Sequence, residues 1–154
     1  MDKPKLLYLE DTASAIIKVD YLRDYEGYDV WVTSDFRDVM SWLLLDPGAE
    51  DFEALIFDLK VKPYSLNLVK GNVPYDSDKF PSTSMYFIEQ FLLKHDKLKN
   101  LRLKDKVILC SAYIEIYKKQ GLNLDGYRVV HKDNDATVNL IQEINEIRAI
   151  MQKG

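Results

Sequence analysis

Five residues of this chain carry chemistry-bearing side chains immediately behind short apolar runs. Glu10 and Asp11 follow "LLYL", Asp58 follows "ALIF", Ser111 follows "VILC", and Lys132 follows "RVVH". Two adjacent carboxylates where a buried run stops need a neutralising partner. If the runs are neighbouring strands about 4.8 Å apart, Asp58 joins Glu10 and Asp11 within roughly 5–7 Å. One like-charged pair at about 5 Å and an effective dielectric near 20 costs about 3 kcal/mol. Either one carboxyl takes a raised pKa or a cation sits among them. Oxygen-only ligands at a water-facing rim, too few for a cage, favour Mg²⁺ over zinc. A magnesium ion beside a carboxylate, a hydroxyl and a lysine suits phosphoryl transfer. The metal and Lys132 would neutralise phosphoryl oxygens, Ser111 would hydrogen-bond one, and a carboxylate could act as nucleophile to give an acyl phosphate.

The elements that must position these groups alternate along the chain. Five apolar runs (Leu6–Leu9, Val30–Val32, Ala54–Phe57, Val107–Cys110 and Tyr127–Val130) are separated by helical patterns. Phe36, Val39, Met40, Leu43 and Leu44 recur at one-faced helical spacing after a Ser34/Asp35 cap, and Pro47-Gly48 closes the segment. Leu140, Ile141, Ile144, Ile147 and Met151 mark a last helix after "KDND". Ile88, Phe91, Leu92 and His95 mark another after Pro81-Ser82. Further helices are expected near 12–24, where Ile16, Ile17 and Leu22 face one way, and near 112–120, ending at Gly121. Repeated strand–helix alternation predicts an α/β fold, a doubly wound parallel sheet with helices on both faces. Runs two and five carry polar residues (Asp29 and Thr33; Arg128 and His131) and belong at the edges. The order 2-1-3-4-5, the flavodoxin-like arrangement, satisfies that and gathers ligands beyond the carboxyl ends of the strands.

Composition excludes several classes of function. A chain of 154 residues suits a single domain. A net charge of -4 and a pI near 5.2 argue against direct nucleic-acid binding. No apolar stretch approaches the roughly 18 residues that span a bilayer, and "MDKPK" has no signal-peptide pattern. The single cysteine, Cys110, excludes an internal disulfide and a Cys-rich zinc site, and its apolar surroundings read as a buried, inert thiol. A reducing, cytoplasmic setting is the expectation, with no membrane partner.

Taken together, "LLYLED", "ALIFDL", "VILCSA" and "RVVHK" resemble a response-regulator receiver domain, over nearly the whole chain outside about 60–82. The resemblance implies that Asp58 accepts a phosphoryl group from a histidine kinase, a phosphotransfer protein or a small phosphodonor. It implies that Glu10, Asp11, Asp58 and the backbone carbonyl of Lys60 bind Mg²⁺. Ser111 and Lys132 would sense the acyl phosphate and pass the change to the face formed by strand four, helix four and strand five. The chain would be a phospho-acceptor in a two-component system or phosphorelay, with autophosphorylation and autodephosphorylation as its only enzymatic activity. With no effector domain expected within 1–154, output would run through a downstream protein partner, a homodimer face or phosphoryl relay. Three positions depart from the family. Asp133 follows Lys132 where the family has proline after a cis bond, so a trans bond is expected. Val129 stands at the aromatic switch position, with Tyr127 no clean substitute. Pro63 comes one place late after Asp58.

"KVKPYSLNLVKGNVPYDSDKFPSTS", Lys60 to Ser84, replaces a short loop. Connections beyond about 12–15 residues tend to be functional or disordered. The stretch carries Lys60, Lys62, Lys70 and Lys79 with Tyr64, Tyr75 and Phe80, and "LNLVKGNVPY" could form a hairpin around Lys70-Gly71-Asn72. It reads as a lid or partner-docking element controlling phosphodonor access and acyl-phosphate lifetime, or as a tolerated surface insertion. Lys60 could pair with Asp58 or Glu10, or meet the phosphoryl group.

Blander readings stand beside these. Glu10-Asp11 could be an acidic cluster at a helix start, Asp58 a loop aspartate, Ser111 a helix N-cap and Lys132 a solvated lysine. His131 reads as structural or exposed, His95 as a charge at a helix end, and Trp31 and Trp42 as packing residues. Two other functions compete: a receiver-like interaction module that is never phosphorylated, and an aspartate-nucleophile phosphatase. The phosphatase wants a second aspartate two places after the first as general acid, where this chain has Lys60.

Overall fold

In a computed structural model, which describes residues 3–11, 14–69 and 81–152, five parallel strands form one sheet in the order β2-β1-β3-β4-β5. The strands are β1 (Lys5–Leu9), β2 (Asp29–Thr33), β3 (Phe52–Phe57), β4 (Val107–Ser111) and β5 (Arg128–His131). The helices are α1 (Ser14–Asp24), α2 (Phe36–Leu44), α3 (Tyr64–Val69), α4 (Thr83–Phe87), α5 (Ile114–Lys119) and α6 (Ala136–Gln152). Both the order and the two polar edge strands are those the sequence predicts.

Strand alternation sorts the core into two layers. Leu7, Leu9, Leu55, Phe57, Val107 and Leu109 face one side and pack with Phe36, Val39 and Leu43 of α2, Met85 and Phe87 of α4, and Ile114 and Tyr117 of α5. Leu6, Tyr8, Ala54, Ile56, Ile108, Cys110 and Val130 face the other and meet Val19 and Leu22 of α1 and Leu140, Ile144 and Ile147 of α6. The three central strands are buried on both faces, which is why they read as unbroken apolar runs.

Helix α2 starts as expected, with Asp35 as its N-cap accepting from the Arg37 N–H. The helix expected at Ile88, Phe91, Leu92 and His95 starts earlier and changes pitch. Ser82 caps α4, and Ile88–Leu92 continues it as a π-helical turn. His95 lies beyond it in a turn, where its Nδ1 accepts the Lys97 N–H. Gly121, at φ 92, follows α5 in the left-handed region where glycine ends helices.

The hairpin expected in the insertion is not formed on its first arm. Leu66 to Val69 belong to α3, because Leu66 is fully buried and Ser65 is fastened to the start of α2, accepting the Phe36 N–H at 3.0 Å. Tertiary docking overrides the strand-like pattern. The remainder of that expectation, with Lys70-Gly71-Asn72, Tyr75, Lys79 and Phe80, lies outside the described residues.

Candidate functional site

The parallel ladder runs one step past the strands and sets the site. The Glu10 N–H donates to Thr33 O at 2.9 Å, the Asp58 N–H to Leu9 O at 3.0 Å, and the Lys132 N–H to Ser111 O at 3.1 Å. Glu10, Asp58, Ser111 and Lys132 are thereby brought to one edge by sheet geometry. Glu10, Asp58 and Ser111 are at most 4% exposed.

A cation does sit among the carboxylates, and it is Lys132. Its Nζ donates to Asp58 Oδ2 at 2.6 Å and also to Glu10 Oε2. Lys60, the cation expected to pair there, instead places its Nζ 4.8 Å from the Tyr113 ring centroid. Its backbone N–H reaches the site, donating to Asp58 Oδ1 at 3.2 Å. Asp11, half-buried, accepts the Lys62 N–H at Oδ2, 3.1 Å away.

The electrostatics follow from two buried carboxylates sharing one ammonium. Burial pushes the Glu10 carboxyl up, a hydrogen bond with Asp58 adds to that, and Lys132 opposes without prevailing. Burial pulls Lys132 down, but its hydrogen bonds to Asp58 and Glu10 outweigh this and hold it above the usual lysine value.

Ser111 Oγ accepts the Tyr113 N–H at 3.1 Å, which leaves the hydroxyl hydrogen to donate. It does not cap α5, whose N-cap is Tyr113 with no side-chain bond. Val129 is half-buried against the first core layer. Tyr127 lies under the Lys104 ammonium, 4.5 Å from ring centroid to Nζ, and burial with Glu89 nearby pushes its phenol up to about 12. It is occupied there rather than at the acceptor. The peptide after Lys132 is trans, the cis bond among the described residues being Asp46-Pro47. His131 is exposed, 4.0 Å from Glu115, and Trp31 and Trp42 pack edge to face, as a packing role requires.

Three hydroxyls that the sequence reading passed over also reach the site's backbone. Ser82 donates to Leu59 O at 2.7 Å, Thr83 to Val61 O at 2.6 Å, and Ser84 to Asp58 O. The signal was "STS" at the end of the insertion, an unusual run of buried hydroxyls visible only once α4 is placed.

The donor chemistry suits a hard divalent cation, since Glu10, Asp11, Asp58 and the Lys60 carbonyl offer oxygen alone. Among the described residues, no three His, Cys, Asp or Glu side chains come together as a ready metal site, and Lys132 holds the charge between Glu10 and Asp58.

No family model matches this chain, and no curated protein is detectably similar to it. Solved structures do match. A signal receiver domain from Vibrio parahaemolyticus superposes with a TM-score of 0.54 at 16% identity, covering 98% of this chain and 97% of that one. The bacteriophytochrome response regulator AtBRR gives 0.57 at 13%, covering 96% and 94%. This chain has the receiver fold. A sensor protein from Polaromonas sp. JS666 gives 0.54 at 14%, covering 95% and 99%. Asp58 and Lys132 directly follow β3 and β5, and Ser111 is the last residue of β4. Among the described residues no helix is long and apolar enough to cross a membrane.

Proposed function

We propose that this receiver-fold chain, taken as one domain over 1–154 with an insertion at about 60–82, is a Mg²⁺-dependent phospho-acceptor at Asp58. The observation that carries the reading is the Asp58 carboxylate, 3% exposed at the sheet edge with the Lys132 ammonium on Oδ2. Its donors are a histidine kinase, a phosphotransfer protein or a small phosphodonor. An Asp58 oxygen attacks phosphorus, the bond to the donor nitrogen or oxygen breaks, and the leaving group takes the electron pair. Glu10, Asp11, Asp58 and the Lys60 carbonyl would hold the Mg²⁺, which would supply charge to screen the phosphoryl oxygens. Lys132 leaves Glu10 for a phosphoryl oxygen while the Ser111 hydroxyl donates to another. Output runs through contacts with a downstream protein or a second copy in the cytoplasm, without nucleic acid or membrane.

A second reading has one observation in its favour. Lys132 already bridges Glu10 and Asp58, as it would in a receiver-like interaction module that is never phosphorylated. Beryllofluoride with Mg²⁺ separates the two. Amide spectra are the readout, because Trp31 packs on Phe52 at the start of β3, roughly 20 Å of strand away from Asp58. Shifts at Lys60, Lys62, Tyr113 and Lys132 that vanish in Asp58→Asn support the acceptor. A spectrum unchanged at saturating beryllofluoride leaves the interaction module.

A further inference from the structure

The three hydroxyls at the start of α4 do more than cap a helix. Each meets the backbone of the segment after Asp58, and a trans peptide is rigid, so whatever holds its C=O also aims its N–H the opposite way. Ser82 holds the Leu59 carbonyl at 2.7 Å. The N–H of that same peptide belongs to Lys60 and donates to Asp58 Oδ1. Thr83 holds the Val61 carbonyl at 2.6 Å, and the N–H of that peptide belongs to Lys62 and donates to Asp11 Oδ2. Thr83 Oγ1 also accepts the Val61 N–H at 3.1 Å, which turns the Lys60 carbonyl of the intervening peptide away from α4. Ser84 holds the carbonyl of Asp58 itself. Ser82 and Thr83 are buried, at 1% and 7% exposure, so water does not compete for these bonds.

We propose that Ser82 and Thr83 are positioning residues for the phospho-acceptor site. Through two oriented peptide groups they aim the Lys60 N–H at Asp58 and the Lys62 N–H at Asp11. The inference rests on the phospho-acceptor reading of Asp58. It makes α4 the element that sets the acceptor's donor geometry, and it gives the insertion a constraint at both ends. The chain leaves the site at Lys60 and must return at Ser82 in register with it.

The test pairs Thr83→Val, which keeps the shape and removes the hydroxyl, with Thr83→Ser, which keeps the hydroxyl. Ser82→Ala is a second, independent variant, and Ile144→Val, in the opposite core layer, is a control for general destabilisation. Affinity for beryllofluoride with Mg²⁺ is titrated by amide shifts, and amide hydrogen exchange at Lys60 and Lys62 is followed without metal. The expected result is roughly tenfold weaker beryllofluoride binding in Thr83→Val and Ser82→Ala, the scale of one oriented hydrogen bond. Exchange should be faster at Lys62 in the first and at Lys60 in the second, with Thr83→Ser and Ile144→Val near wild type. Wild-type affinity in both hydroxyl-deleted variants overturns the proposal, as does equal weakening in Thr83→Ser or Ile144→Val. If wild type itself ignores beryllofluoride, the acceptor reading fails and takes the proposal with it, a result distinct from the others.

Discussion

The Lys132 ammonium and the Asp58 carboxylate meet at 2.6 Å across 74 residues of sequence, and Glu10 closes on the same ammonium. Lys132 is 10% exposed at the side chain, and its partners are buried. Removing the cation while leaving the carboxylates is therefore costly. Lys132→Met should lose about 3–5 kcal/mol near neutral pH, the range for breaking a buried pair. Millimolar Mg²⁺ should then raise the melting temperature of the variant by more than that of wild type, because it supplies the missing charge. Urea unfolding gives the first quantity and thermal melts the second. Coincident urea midpoints would show that the pairing contributes nothing to stability.

The pH dependence has a definite sign. The Glu10 carboxyl is raised in the fold from its ordinary 4.5, chiefly by burial. Its protonated form favours folding, so its contribution is full below about 4.5 and is lost as pH rises through the folded value. Lys132 is raised above 10.5. Its contribution persists below that and is lost only as alkaline pH passes through its folded value. Glu10→Gln should therefore gain stability relative to wild type as pH goes from about 4.5 to 7, measured by denaturant unfolding at each pH. Parallel curves over that interval would remove Glu10 as the source.

Sequence alone was sufficient for the sheet because burial on both faces leaves unbroken apolar runs, as at Leu6–Leu9 and Ala54–Phe57, while Asp29 and Arg128 mark the edges. The placement of Glu10, Asp58, Ser111 and Lys132 then follows from strand ends alone. What could not be read were contacts made by backbone groups and by side chains that reach sideways. The choice between Lys60 and Lys132 for the carboxylates depends on where Tyr113 sits, a loop position without periodicity. Helix α3 looked like a hairpin arm because Leu66 and Leu68 alternate with polar residues. Docking of Leu66 and Ser65 decided otherwise.

Lys60 and Tyr113 join the segments that follow β3 and β4, so their contact spans the approach to Asp58 and Ser111. A partly exposed cation–π contact is worth about 0.5–1 kcal/mol. On the acceptor reading, Tyr113→Ala should release Lys60 and open the acyl phosphate to water. Its hydrolysis should speed up about two- to fivefold, the rate equivalent of that energy. Tyr113→Phe should retain the wild-type lifetime. A chase of labelled phosphoryl protein after donor removal measures it, and an unchanged lifetime in Tyr113→Ala denies the pair any shielding role.

Helix α3 offers a test of whether the first part of the insertion is integral to the fold. Ser65 is 6% exposed, and its Oγ accepts the N–H of Phe36, the first residue of α2 and itself fully buried. Helix starts leave such N–H groups without intrahelical partners. Nearby, Asp35 is held below the usual carboxylate range first by Arg37 and to a lesser degree by Ser65. Ser65→Ala should orphan the Phe36 N–H in a dry site and cost about 1–3 kcal/mol. Arg37 is exposed on the outer side of the same cap, and Arg37→Ala should move the urea midpoint far less than Ser65→Ala does, because solvent screens an exposed ion pair. Trp42 lies within α2 and is half-buried, so its fluorescence follows that helix through urea unfolding. If Ser65→Ala unfolds with wild type, α3 merely rests on the surface, and residues 60–69 are a tolerated addition rather than part of the fold that holds Asp58 in place.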